Sequence, residues 1–183
     1  MSKLLNRMLK ISFLPAAIMI VSKVFGLYLA IVAYDMQIFI DNEIQFPFTV
    51  QLLINERDNV ILANSISDLV LLLVMTSICA YIYLRFTLYT RSADDPRTIV
   101  KLTKLNLVKW ITDKNSVFLK VFVWVLFLLA SDAVIIANTL RGETYSWIGV
   151  TAFVTGILFM WALVRTFEME IEKLYPTDKN SLY

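Results

Sequence analysis

Residues 11–34 form an apolar stretch with one lysine, Lys23, near its middle. As a helix, at about 1.5 Å per residue, the stretch reaches about 36 Å, enough to cross a hydrocarbon core of about 30 Å. An ammonium group at that depth costs roughly 3 kcal/mol or more unless it snorkels to an interface or meets a partner. Three further apolar stretches follow, over residues 67–88, 117–139 and 147–167. The third of the four carries Asp132, well away from either of its ends. A chain built this way is expected to be all-α: a bundle of four transmembrane helices, with its intramembrane charges answering one another.

Composition agrees with that class. Hydrophobic residues make up 58% of the chain and mean hydropathy is +0.69, whereas soluble domains usually sit near 45–50% apolar. Net charge is only +2, so bulk basicity gives no reason to expect a nucleic-acid partner. There is no histidine, and Cys79 is the only cysteine. An internal disulfide is therefore impossible, and zinc, haem and iron–sulfur centres lose their usual ligands. No cofactor, no metal and no catalytic residue is expected. Cys79, inside an apolar run, reads as a small buried hydrophobe.

The connections carry their own signals. A basic arm with Lys3, Arg7 and Lys10 precedes the first stretch. A signal peptide has this polarity, but its apolar core is usually 7–15 residues and three spans follow here, so an uncleaved first helix is expected. Residues 35–66 form an outer loop in which Asp35, Asp41, Glu43, Glu56 and Asp58 face a single Arg57. Two runs rich in β-branched and aromatic residues, 46–54 and 60–63, flank the polar cluster 55–59 and predict a short β-hairpin over 46–63. Alternation fails at Leu52-Leu53-Ile54, which leaves a helical or membrane-skimming segment as the alternative. Asp68, at the outer end of the second span, reads as a helix cap in reach of water.

Residues 90–116 make the main loop of the opposite face. Asp94-Asp95-Pro96 is a helix start, and Lys101, Lys104, Lys109 and Trp110 lie among aliphatic residues in a broad apolar arc. A helix lying among lipid headgroups fits that pattern, each lysine adding roughly 1 kcal/mol of attraction to anionic lipid. On the fourth span Gly149, Ala152 and Gly156 fall at i, i+3 and i+7, a small-residue face that lets another helix approach closely. The cytoplasmic tail, 168–183, is expected to continue this helix as far as Pro176, with Glu168 and Glu172 on one face and available to the loop lysines.

Charge asymmetry predicts orientation. Of the 17 Lys and Arg residues, only Arg57 and Arg141 fall on the face of the 35–66 loop, and Lys23 lies within a span. The rest cluster on the face of the 90–116 loop, which predicts cytoplasmic termini and a multi-pass inner-membrane protein. The lack of histidine and of N-glycosylation sequons is compatible with a prokaryotic source.

Counted from the cytoplasmic helix starts, Lys23 stands about 18 Å and Asp132 about 22 Å into the membrane, so the two are expected to pair. A pair of this kind fixes helix registry. The remaining alternatives are a proton or ion relay and a lysine that meets lipid phosphate or another protein. The function expected is non-catalytic: an accessory, assembly or protective subunit acting through contacts with another membrane protein or with itself. An oligomeric transporter or channel component using the Lys23/Asp132 pair is the runner-up. Intramembrane serine-protease and metalloprotease chemistry both need histidine, which the composition excludes.

Overall fold

The computed structural model describes residues 3–36, 57–94 and 117–174. They form four helices: α1 (Lys3–Tyr34), α2 (Arg57–Asp94), α3 (Val117–Leu140) and α4 (Ser146–Leu174). Each contains a segment long and apolar enough to span a membrane: Leu9–Tyr34, Asp58–Leu88, Leu119–Leu140 and Ser146–Glu168. Among the described residues there is no strand. The interfacial segment with Lys101, Lys104, Lys109 and Trp110 lies outside the described residues, as does the 46–54 run of the expected hairpin.

The second run of that hairpin is helical. α2 begins at Arg57, so Val60, Ile61, Leu62 and Ala63 lie in its opening turns. Leu62, Ala63 and Ile66 recur at helical spacing, and all three pack with Ala30 and Met36 at the end of α1. A helix presents these three to α1 together, whereas a strand would turn neighbours to opposite faces. Asp58 in the first turn also complements the positive end of the helix dipole. With 38 residues, α2 is about 57 Å long and projects beyond a hydrocarbon core of about 30 Å.

Consecutive helices run antiparallel, as the residue pairs across each interface show. Gly26 lies on Ser67 and Ala30 meets Ala63, so α1 and α2 count in opposite directions. The Cys79 thiol donates to the Trp124 carbonyl at 3.3 Å, and Asn138 reaches Asp68, which sets α2 against α3. Gly149 sits on Thr139, and the rings of Phe122 and Phe167 meet edge to face at 5.8 Å, which sets α3 against α4. The main apolar core lies between α2, α3 and α4, around Met75, Leu128, Ile135, Ile148 and Ala152. α3 is the most enclosed helix and α1 the least: 44% against 17% of their apolar windows is buried. Among the described residues no Cα of α1 lies within 8 Å of a Cα of α4.

Two chain reversals shape the interior. α1 ends with Asp35 at φ 48° and a bond from the Met36 amide to the Ile31 carbonyl of 3.1 Å, which returns Met36 onto Ala30 and Ala63. α3 ends in a Schellman turn. The Glu143 amide bonds the Asn138 carbonyl at 2.9 Å, the Gly142 amide bonds that of Thr139 at 3.0 Å, and Gly142 has φ 73°. That turn folds residue 144 back over the bundle.

Gly26 and Gly142 are needed for different reasons, and alanine separates them. A Cβ at Gly26 would stand 2.7 Å from the Ser67 Cα, a backbone atom that no rotamer can move aside. A Cβ at Gly142 would meet nothing within 4 Å, so only its left-handed backbone is at stake. Gly142→Ala should cost about 1 kcal/mol, and Gly26→Ala more, because it forces α1 and α2 apart. Thermal unfolding of the two variants in one detergent checks the order.

Candidate functional site

The interior holds two carboxylates in opposite circumstances. Asp68 lies eleven residues past the start of α2, about three turns inside rather than at a cap, and is fully buried. Its partners come from three directions. The Lys23 ammonium of α1 donates to Oδ1 in a salt bridge. The Asn138 side chain of α3 donates to Oδ2 at 3.1 Å, and the Thr144 hydroxyl, from the α3–α4 turn, donates to the same oxygen at 2.6 Å. The carboxylate thus joins three helices and the turn between α3 and α4.

Local geometry explains why Lys23 arrives there. Gly26 stands one turn after Lys23 and lets α1 press its backbone against Ser67. Ser67 precedes Asp68 and donates its hydroxyl to the Lys23 carbonyl at 2.6 Å. Two residues away, the Ser65 hydroxyl accepts the Tyr145 amide at 3.0 Å and holds the end of the turn that carries Thr144. The Lys23 side chain keeps 33% exposure, whereas Asp68 keeps none. Spacing in the sequence points to neither Asn138 nor Thr144. Gly26 at i+3 from Lys23 and the Ser67-Asp68 pair are the signals it does carry.

Lys23 therefore pairs with Asp68, not with Asp132. Matching depths from helix starts misplaces the partner because the register of α1 is set by the Gly26–Ser67 contact. Asn138, at the level of the ion pair, lies six residues beyond Asp132, about 9 Å along α3 and about a third of a turn around it. One lysine cannot serve both positions.

Asp132 is 2% exposed, and among the described residues neither of its carboxylate oxygens has a hydrogen-bond partner. It turns toward α4. An ideal Cβ on Gly156 would stand 3.2 Å from Oδ2, so the glycine makes room for the carboxylate. A groove of about 500 Å³ opens there between α3 and α4, lined by Asp132 and otherwise by apolar side chains including Ile136, Phe153, Ile157 and Trp161. The face of Gly149, Ala152 and Gly156 is spent on this same α3–α4 contact. A Cβ at Gly149 would come within 2.5 Å of the Thr139 hydroxyl, and Ala152 is fully buried.

Of the other polar groups in the spans, the Thr76 hydroxyl is buried without a partner among the described residues, and several hydroxyls bond within their own helix. Ser131, Thr151 and Thr166 donate to carbonyls three or four residues back. Glu168 pairs with Arg165 on its own helix at 3.2 Å, exposed and worth roughly 0–1 kcal/mol. Among the described residues no three His, Cys, Asp or Glu side chains cluster as metal ligands would.

The two carboxylates should answer mutation in opposite ways. Lys23→Met leaves Asp68 buried with an incomplete shell and should cost about 3–5 kcal/mol, whereas Asp68→Leu leaves a lysine that keeps 33% exposure and should cost less. The double variant Lys23→Met/Asp68→Leu should recover much of that loss. Asp132→Asn should leave the isolated chain as stable as wild type, or more so. Melting temperatures by fluorescence-detected size exclusion test all four. Additive losses at Lys23 and Asp68 would show that their contact contributes little.

Comparison with family models, with curated proteins and with solved structures finds no match to this chain.

Proposed function

We propose that the chain is a non-catalytic subunit of the membrane that works by lateral contact with another membrane protein. The observation that carries this reading is Asp132: a buried carboxylate without a partner among the described residues, on a groove whose α4 wall is open to the surroundings. Phe153 is 58% exposed, and Ile157 and Trp161 are similarly open. A charge left unanswered in hydrocarbon is costly, and residues of this kind are by default places of contact or transfer. The inner charge pair, by contrast, is occupied in holding the helices together. The transport alternative depends on a Lys23/Asp132 pair, and with Lys23 held by Asp68 it loses that support.

In this reading both termini and the 90–116 loop lie in the cytoplasm of a prokaryotic inner membrane, following the lysine and arginine bias. Lys101, Lys104, Lys109 and Trp110 then contact anionic headgroups on that side. Alkaline phosphatase inserted between residues 37 and 56 should be active, and a C-terminal fluorescent-protein fusion should be bright. The reverse pattern would overturn the orientation.

A C-terminally tagged chain, extracted from its native membrane into nanodiscs, tests the function. A membrane protein should co-purify with it in fixed ratio and be lost from Asp132→Asn, although that variant remains folded. Purification as a homo-oligomer alone would sink the proposal, and ion flux in liposomes would then be measured.

A further inference from the structure

We infer that the α3–α4 groove receives a transmembrane helix of a different protein, one that carries a lysine or arginine at the depth of Asp132. The inference rests on the lateral-subunit reading and specifies the partner's chemistry. Asp132 supplies the charge argument: both carboxylate oxygens are buried and unpartnered among the described residues, and a cation is the group that answers them.

The shape of the groove supplies the second argument. Its α4 wall runs from Ala152 to Val164 and its α3 wall from Leu129 to Ile136. On α4 the lining recurs at about 152, 156, 160 and 164, a single stripe of about 18 Å, more than three helical turns. Such a length fits another helix better than a small ammonium ion. Ala133, a small and exposed residue, stands next to Asp132 on the α3 wall, where an incoming backbone can approach most closely.

The chain's own cations argue against a second copy as the occupant. Lys23 is the basic residue nearest this level, and it is engaged by Asp68. Lys120 lies twelve residues, about 18 Å, below Asp132 on α3, and Arg141 lies beyond the end of α3. In a second copy of the same orientation, those side chains would sit near the membrane faces rather than at the groove.

The test uses the full-length chain in lipid vesicles and a synthetic leucine–alanine helix of about 22 residues with one central lysine. A control helix carries leucine in place of that lysine. Energy transfer between labels on chain and helix reads association. The lysine helix should associate at least tenfold more tightly than the control, and Asp132→Asn should abolish the difference. Ala133→Phe, which keeps the carboxylate and fills the groove beside it, should weaken the lysine helix to the level of the control.

Equal association of the two helices, or a lysine preference that survives Asp132→Asn, overturns the inference. So does displacement of the lysine helix by dodecylamine together with unchanged binding to Ala133→Phe, which would mark a small-amine site. A native partner that co-purifies through Asp132 but has no basic residue in its spans would overturn this inference alone. A chain that purifies without any partner fails the parent reading instead.

Discussion

The arrangement of the four helices depends on where a single buried carboxylate finds its donors. In hydrocarbon the helices gain little by hiding apolar side chains from one another, since lipid tails are as apolar as leucine. Packing shape and polar contacts must then select the register. Asp68 does this by accepting from an ammonium, an amide and a hydroxyl on different elements. Because α1 is the least enclosed helix, its position relies most on that contact and on the close approach at Gly26. The Schellman turn after α3 belongs to the same device. Without the left-handed residue at Gly142, the chain would not reverse tightly enough to bring Thr144 onto the carboxylate.

The same physics decides which features are legible in the sequence. Four spans can be read because length and apolarity are local properties, and the helices keep them. Lys23 can be singled out because an ammonium in an apolar run is costly wherever the run packs. Its partner cannot be found by counting, because depth along an isolated helix ignores the register that contact imposes. Asp68 resembles a cap only if α2 begins near residue 67. Once Leu62, Ala63 and Ile66 are seen as one helical face against α1, the helix extends to Arg57 and Asp68 moves inside. The small-residue face of α4 is legible as a packing face, but its occupant is not. Both α3 and an outside helix would satisfy the same spacing, and Thr139 and Asp132 of α3 fill it.

Asp132 and Asp68 both lie inside an apolar helix and are both buried, yet the fold treats them as opposites. Buried charges that hold a structure together collect donors, as Asp68 does. Asp132 instead sits about a third of a turn away from the face of Asn138. Its carboxylate packs against Gly156 of α4, and the residue borders the groove between α3 and α4. Had the role of Asp132 been to fix registry within this chain, the donor would stand on α2 or α1, on the side already crowded with hydroxyls and amides. The α3–α4 side supplies no donor among the described residues, and Gly156 of α4 stands against the carboxylate. Among the described residues the chain contributes space and no hydrogen to Asp132, which under the function proposed above leaves the carboxylate to a group from outside. The ion pair at Asp68 makes that arrangement stable, because it lets the bundle hold its shape without drawing on Asp132.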